Sequence, residues 1–253
     1  MSSKIALLLA LVAFVISILG CAQLGTRPGL SVSQSKVHLL ERNLDEQSSE
    51  VKNFVSTGML QVWEPTQRIS TTFLCVASRN PFRLKLEITH TWGLPLLHVL
   101  MHGNEVTVID FYHHRTYHGQ FGRGLPFFAK TPLVNRTLLW SVMRAFPELM
   151  HHGAISWSAD DGALVVSRGD EVAQEIRFDG NLQYPMNVLY PKLGVAIRFS
   201  EFAAQGSIAY AKAVEARYLA NESSVHIKIK DIIFNQDLNP EIFQLRQQTK
   251  ATM

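Results

Sequence analysis

The sequence predicts a mainly β protein whose strands form one large antiparallel meander, either open or closed into a barrel. The clearest observation is the alternation from Phe82 to Ile88, where apolar side chains are separated by Arg83, Lys85 and Glu87. Period-two alternation places one face of a strand against a core and the other in water. The second observation is that Asn, Gly, Asp and Pro residues separate such runs at regular intervals. This spacing predicts about eleven strands.

Comparable strand-like runs occupy most of the chain after residue 56. Turn residues bound them, for example at 102–104, 160–162 and 178–181. The runs cover residues 57–63, 69–77, 81–89, 96–102, 105–111, 115–118, 155–158, 163–168, 173–178, 195–201, 207–216 and 225–234. Their order along the chain is that of a meander in which sequence neighbours pair.

A helix in the middle of the strands is the main exception to this pattern. Thr131 can cap it, Pro132 suits its first position, and Pro147 ends it. Its apolar stripe consists of Leu138, Leu139, Val142, Met143 and Phe146. We expect this helix to cover the apolar face of the sheet as a plug or lid. Packing outside the sheet, on an edge, is the alternative.

The N-terminal residues have the pattern of a lipoprotein signal peptide. Lys4 precedes sixteen uncharged residues, 5–20, which are fewer than the roughly 20 apolar residues that span a bilayer. The run Ile-Leu-Gly before Cys21 resembles a bacterial lipobox, so we expect residues 1–20 to be removed and Cys21 to be acylated. An ordinary secretory peptide is the alternative. Ala22 follows, where an Asp commonly retains lipoproteins in the inner membrane, so the outer membrane is the expected location.

The remaining chain is expected to form a tether and one domain. Residues 21–34 are rich in Gly, Pro, Ser and Gln, as is typical of a flexible linker. A single domain then covers 35–253. It begins with a helix over 35–54, because Val37, Leu40 and Leu44 recur at helical intervals.

Composition and motifs give no support for an enzyme, a metal site, a cofactor or a nucleic-acid partner. Without the leader, 23 basic residues face 21 acidic ones, which is too balanced for nucleic-acid binding. No nucleophile-elbow, zinc-protease or phosphate-loop motif occurs. His98 and His102 would lie about 13 Å apart on a strand, too far for one ion. Cys75, in an apolar run, is expected to be a buried and unreactive thiol.

The loop after the clearest strand carries apolar residues where polar ones are usual. Trp92, Gly93, Leu94 and Leu96 lie in it or directly after it. Exposed apolar loop tips mark a contact with a partner or a membrane, so these four residues are predicted to form a membrane-insertion loop. The alternative is that Trp92 folds back into the core.

Several segments together resemble the family of the lipoprotein-sorting protein LolB and its LolA-like relatives. The lipobox, the first helix and the strand that begins at 56–60 are followed by 79–88, which fits the family pattern P-x-R-L-x-L and a later Gly. Trp92-Gly93, Pro132-Leu133, 232–235 and 241–245 also fit. The resemblance covers residues 35–245. It implies an unclosed antiparallel β-barrel of about eleven strands, with a helical lid over an apolar cavity.

The resemblance also implies a function without bond chemistry. Family members accept lipoproteins from a periplasmic carrier and place them in the outer membrane, and a protruding Leu after the third strand takes part in insertion. Here Trp92 is near that position and Leu94 follows. The predicted ligands are acyl chains, and the predicted cavity residues are Phe82, Leu84, Leu86, Ile88, Leu138, Val142 and Phe146. A sensor module of the same fold that transfers nothing is the alternative, and an envelope hydrolase is a distant third.

Overall fold

Thirteen antiparallel strands and two helices make up the described part of the chain. The computed structural model describes residues 32–120, 136–151, 153–220 and 222–244. The helices are α1 (Gln34–Ser49) and α2 (Arg136–Arg144). The strands are β1 (Asn53–Glu64), β2 (Gln67–Ser78), β3 (Arg83–Thr89), β4 (Pro95–His102), β5 (Glu105–Asp110), β6 (Arg115–Gln120), β7 (Ala154–Ser158), β8 (Ala163–Arg168), β9 (Glu171–Phe178), β10 (Pro185–Tyr190), β11 (Val195–Gln205), β12 (Ile208–Tyr218) and β13 (Ser224–Phe234).

All the strands belong to one sheet whose order is β6-β5-β4-β3-β2-β1-β13-β12-β11-β10-β9-β8-β7. Two meanders, β1–β6 and β7–β13, therefore meet where β1 pairs with β13. Strands β6 and β7 form the two free edges in the described part of the sheet, which confirms an unclosed antiparallel sheet. The chain crosses from one edge to the other through the segment that contains α2.

One face of the sheet, called the inner face, carries the core. On β2, β3 and β4 its residues Cys75, Leu86 and Val99 lie opposite one another in register and are buried. The same apolar cluster includes residues of both helices, which places α1 and α2 on this face. Buried and exposed side chains alternate along the strands, as predicted. The other face, called the outer face, therefore carries the charged and polar side chains.

Gly58 marks a bulge where the two meanders join. The register of β1 against β13 shifts between Thr57 and Gly58. A Cβ atom at Gly58 would lie 2.1 Å from the carbonyl oxygen of Lys228 and 3.0 Å from the Phe73 ring. Only glycine allows β13 to approach β1 this closely, and bulges of this kind bend a sheet around its core.

The first helix is shorter than predicted. It ends at Ser49 rather than at residue 54, and Phe54 lies on β1 with its side chain fully buried. Phe54 continues the helical spacing by coincidence, because alternation along β1 also places its side chain in the core.

The number of strands is thirteen instead of about eleven. β10 was missed because Pro185 and Asn187 interrupt its apolar pattern, although Val188 and Tyr190 face the core. Pro185 opens the strand, a position where its missing N–H costs no ladder hydrogen bond.

The mid-chain helix is confirmed on the inner face of the sheet, and its end differs from the prediction. Thr131 and Pro132 lie outside the described residues. The helix ends at Arg144, because Ala145 takes a positive φ of 61° and turns the chain before Pro147 is reached. Phe146 therefore follows the helix instead of belonging to it. Among the described residues, no helix is long and apolar enough to span a membrane.

Candidate functional site

The inner face of β3 forms one wall of the candidate site. Leu84 and Leu86 are buried, whereas Phe82 and Ile88 are half-buried towards the two ends of the strand. Alternation along β3 sends Lys85 to the outer face, where it pairs with Glu87 at 2.8 Å. Phe82, directly before β3, and the three predicted cavity residues on the strand thus share one apolar face.

Helix α2 forms the opposite wall. Leu138 and Val142 are 1% and 0% exposed, and Phe146, just after the helix, is 3% exposed. Trp140 packs edge-on against Phe54 at 5.0 Å between ring centroids and lies 6.1 Å from Phe82. The structure thus buries the predicted lid residues in the same apolar cluster as the predicted wall residues.

Helix α2 packs directly against the β3 wall. Every residue from Leu138 to Arg144 is buried, so the apolar surface of the sheet is covered instead of open. A polar groove of about 270 Å³ lies at the end of the site, between Phe82, Trp140 and Glu148. Another groove, of about 450 Å³, lies on the outer face of β9–β12, where charged residues such as Arg177 and apolar ones such as Leu189 line it. The lining of this outer groove mixes charged and apolar groups, unlike the apolar inner face. In the described part of the chain, α2 therefore covers the apolar surface that β3 presents.

An ion pair closes the end of the site between β2 and β3. Arg79, which follows β2, donates to Glu148 Oε1 at 2.5 Å and to Ser48 at the end of α1. Ser48 Oγ also donates to Glu148 Oε1 at 3.1 Å. Glu148 lies four residues beyond α2, so Arg79 joins the sheet, α1 and the end of the lid. We call Arg79, Ser48 and Glu148 the latch.

Gln174 on β9 fixes the same segment from the other side. Its side-chain amide donates to the carbonyl of Glu148 at 2.8 Å and to Tyr190 Oη at 3.1 Å. Its carbonyl oxygen accepts from the backbone N–H of Met150 at 3.0 Å. Gln174 is fully buried, so these bonds are strong anchors for the segment after α2.

Arg144 is a buried charge at the junction of the two helices. Its side chain is 0% exposed, and its Nη2 donates to the carbonyl of Gln47 on α1. Within the described residues, Nε and Nη1 have no hydrogen-bond partner. Burial lowers the pKa of Arg144 to about 10. The closed arrangement therefore includes a guanidinium that would gain hydrogen bonds on contact with water.

These contacts fasten the segment after α2 to the sheet and to α1 in the described part of the chain. No three His, Cys, Asp or Glu side chains within that part of the chain form a metal-binding group. Cys75 is fully buried on the inner face, and burial raises the pKa of its thiol. A thiol in this state is a poor nucleophile.

The predicted insertion loop connects β3 to β4 and projects from that end of the strands. Trp92 is 84% exposed and Leu94 is 64% exposed, so the alternative in which Trp92 folds into the core is wrong. Gly93 takes a φ of 84°, and His90 and Leu94 close the turn with a 2.7 Å hydrogen bond. Leu96 differs from the prediction, because it lies in β4 and is half-buried.

Two parts of the site were not found from the sequence. The latch residues and Gln174 are far apart in the chain, and single polar residues give no pattern that links them. Arg144 was not singled out, because the sequence does not reveal that its side chain meets Gln47 of α1. The predicted lipidation site, Cys21, lies outside the described residues.

No family model and no curated protein sequence matches the chain. Solved structures do match it in fold. A LolA-superfamily protein of Nitrosomonas europaea is 12% identical, with a TM-score of 0.54 over 85% of this chain and 99% of its own. A DUF1329 family protein of Desulfovibrio piger is also 12% identical, with a TM-score of 0.57 over 83% and 96%.

A third solved structure carries a functional description. It is a domain of Vibrio parahaemolyticus described as an outer-membrane lipoprotein-sorting protein, 10% identical, with a TM-score of 0.52 over 81% of this chain and 97% of its own. At these identities the likeness is one of fold. It confirms the predicted architecture of an open β-sheet with helices on its inner face.

Proposed function

We propose that this protein binds acyl chains between the inner face of its sheet and helix α2. The observation that carries the proposal is the latched lid. A continuous apolar surface is covered by a helix that is fastened through a few polar contacts at its end. A site for a water-insoluble ligand must be covered when it is empty, and a helix fastened at its end by a few polar contacts can serve as that cover.

The mechanism is partition of the ligand into a dry site. When α2 moves, Leu84, Leu86 and Ile88 become the floor on which an acyl chain lies. Each methylene that leaves water contributes about 0.8 kcal/mol, so one long chain gains enough to offset loss of the lid contacts. The latch decides how readily this exchange begins.

We further propose the biological setting that the sequence suggests. Cys21 carries the lipid anchor, the protein faces the periplasm from the outer membrane, and its ligands are the acyl chains of lipoproteins received from a periplasmic carrier. The loop of Trp92 and Leu94 contacts the bilayer during delivery, since a Trp side chain suits the membrane interface. The lipoprotein-sorting description of the Vibrio parahaemolyticus domain, which has the same fold, supports this setting.

Leu86→Glu should abolish uptake of a fluorescent fatty acid by a soluble form that begins at residue 22. The carboxylate would lie at a position that is 7% exposed, and burying it costs several kcal/mol if it stays charged. The control is Ile109→Glu, because Ile109 is half-buried on the outer face of β5. Uptake is measured by fluorescence titration, and the urea unfolding midpoint identifies variants that remain folded. Normal uptake by folded Leu86→Glu would reject the inner face as the binding site.

A further inference from the structure

A second aromatic loop tip lies beside the Trp92 loop. Tyr112, between β5 and β6, is 78% exposed. Leu97 on β4 pairs in register with Asp110 on β5, and the N–H of Phe111 donates to the carbonyl of Leu96 at 3.1 Å. The β3–β4 and β5–β6 turns therefore lie side by side at the same end of the strands. Two strand spacings separate them, which is about 10 Å.

The β5–β6 turn is ordered in a way that directs Tyr112 outwards. Asp110 accepts from the backbone N–H of His113 at 2.9 Å and contacts His113 Nδ1 at 2.7 Å. Although burial opposes its ionisation, these bonds lower the pKa of Asp110 below its usual value. His114 completes the turn with a φ of 51°. Tyr112 stands at the tip of this turn with its ring edge-on to His113 at 4.9 Å.

The charges around both tips suit a phospholipid surface. Residues 90–94 and 111–115 contain three histidines and Arg115, but no Asp or Glu. The acidic group beside them, Asp110, is buried against His113. The β1–β2 turn at the same end of the strands differs in charge, because its tip carries Glu64 together with Pro65 and Thr66. Aromatic tips with basic neighbours and no exposed carboxylate are expected where a protein meets anionic headgroups.

We propose that Tyr112 is a second membrane anchor, so that the protein contacts a phospholipid bilayer through two adjacent turns. This inference rests on the proposed contact of the Trp92 loop with the membrane. Two anchors about 10 Å apart fix the orientation of the sheet relative to the bilayer, which a single loop cannot do. Both tips protrude from the sheet, so their side chains can insert into a bilayer.

The test is flotation of the soluble form with vesicles of phosphatidylethanolamine and phosphatidylglycerol, and with vesicles of phosphatidylcholine. This form retains every described element, since the described residues begin at 32. The variants are Trp92→Ser, Tyr112→Ser and the double variant. The control is Leu219→Ser. Leu219 is 51% exposed in the turn between β12 and β13, which lies at the same end of the strands.

Each single variant should bind the anionic vesicles about fivefold more weakly. The double variant should bind about 25-fold more weakly, because the losses in binding free energy at separate sites add. Leu219→Ser should bind like the parent protein, and all the variants should keep their unfolding midpoint and fatty-acid uptake. Normal vesicle binding by Tyr112→Ser, with a loss in Trp92→Ser, would overturn the second anchor and leave the proposed function intact. A parent protein that binds neither kind of vesicle would reject membrane contact at this edge, whereas fatty-acid uptake, measured without vesicles, tests the binding site separately.

Discussion

Replacing Arg144 with methionine should stabilise the closed protein by about 1–3 kcal/mol. The guanidinium is fully buried and, within the described residues, makes one hydrogen bond and leaves two nitrogens without a partner. Burial lowers its pKa to about 10, well below the usual value for arginine, so the charged form is disfavoured by about 3 kcal/mol in the folded protein. This penalty is fully present below pH 10 and is relieved only as the pH rises above it. A methionine fills similar space without a charge.

Urea unfolding of the soluble form measures this effect, and Arg136→Met is the control. Arg136 is at the start of the same helix but is exposed, with its guanidinium 5.0 Å from the Phe82 ring. We expect less than about 0.5 kcal/mol for that change. The stabilised Arg144→Met protein should also take up fatty acid more slowly, because opening the lid no longer hydrates a buried charge. A less stable Arg144→Met protein would show that this side chain holds the helices together.

Replacing Arg79 with methionine should have the opposite effect on the lid. The change removes the 2.5 Å ion pair and leaves Glu148, which is 12% exposed, without its hydrogen-bonded cation. We expect a loss of about 1–3 kcal/mol in the free energy of unfolding, below the range for fully buried pairs because Arg79 is partly exposed. The end of α2 is then less firmly held, so fatty-acid uptake should become faster.

Stopped-flow fluorescence of a labelled fatty acid measures the uptake rate. Lys192→Met is the matched control, because Lys192 forms an exposed ion pair with Glu171 at 3.0 Å and should change stability by less than about 1 kcal/mol. If Arg79→Met loses stability but takes up ligand at the parent rate, the latch is only a structural contact and does not govern access.

The sequence was most informative where one physical rule acts alone. Alternation along β3 correctly predicted its apolar face, and the apolar stripe of α2 correctly predicted that this helix covers the sheet. The rule failed where two rules overlap, as at Phe54, which fits both a helix and a strand. It also failed at β10, where Pro185 and Asn187 hide a strand that tertiary packing supports.

The candidate site was predicted in part for a related reason. Apolar periodicity identifies faces, so the sequence predicted that Leu84, Leu86, Leu138 and Val142 face an apolar interior, where they are buried. Polar contacts between distant segments follow no period, and Arg79 and Glu148 are 69 residues apart. Only the fold shows that these two side chains meet.

The central claim is that an acyl chain enters between α2 and the sheet, and Trp140 can report this directly. Its ring is 2% exposed and lies between Phe54 and Phe82. In a soluble variant with Trp63, Trp92 and Trp157 replaced by Phe, a brominated fatty acid should quench the fluorescence of Trp140 in a saturable manner. Quenching requires near contact between the bromine atoms and the indole. Saturable binding of the fatty acid with unchanged Trp140 fluorescence would contradict the account, because the ligand would then occupy another part of the protein.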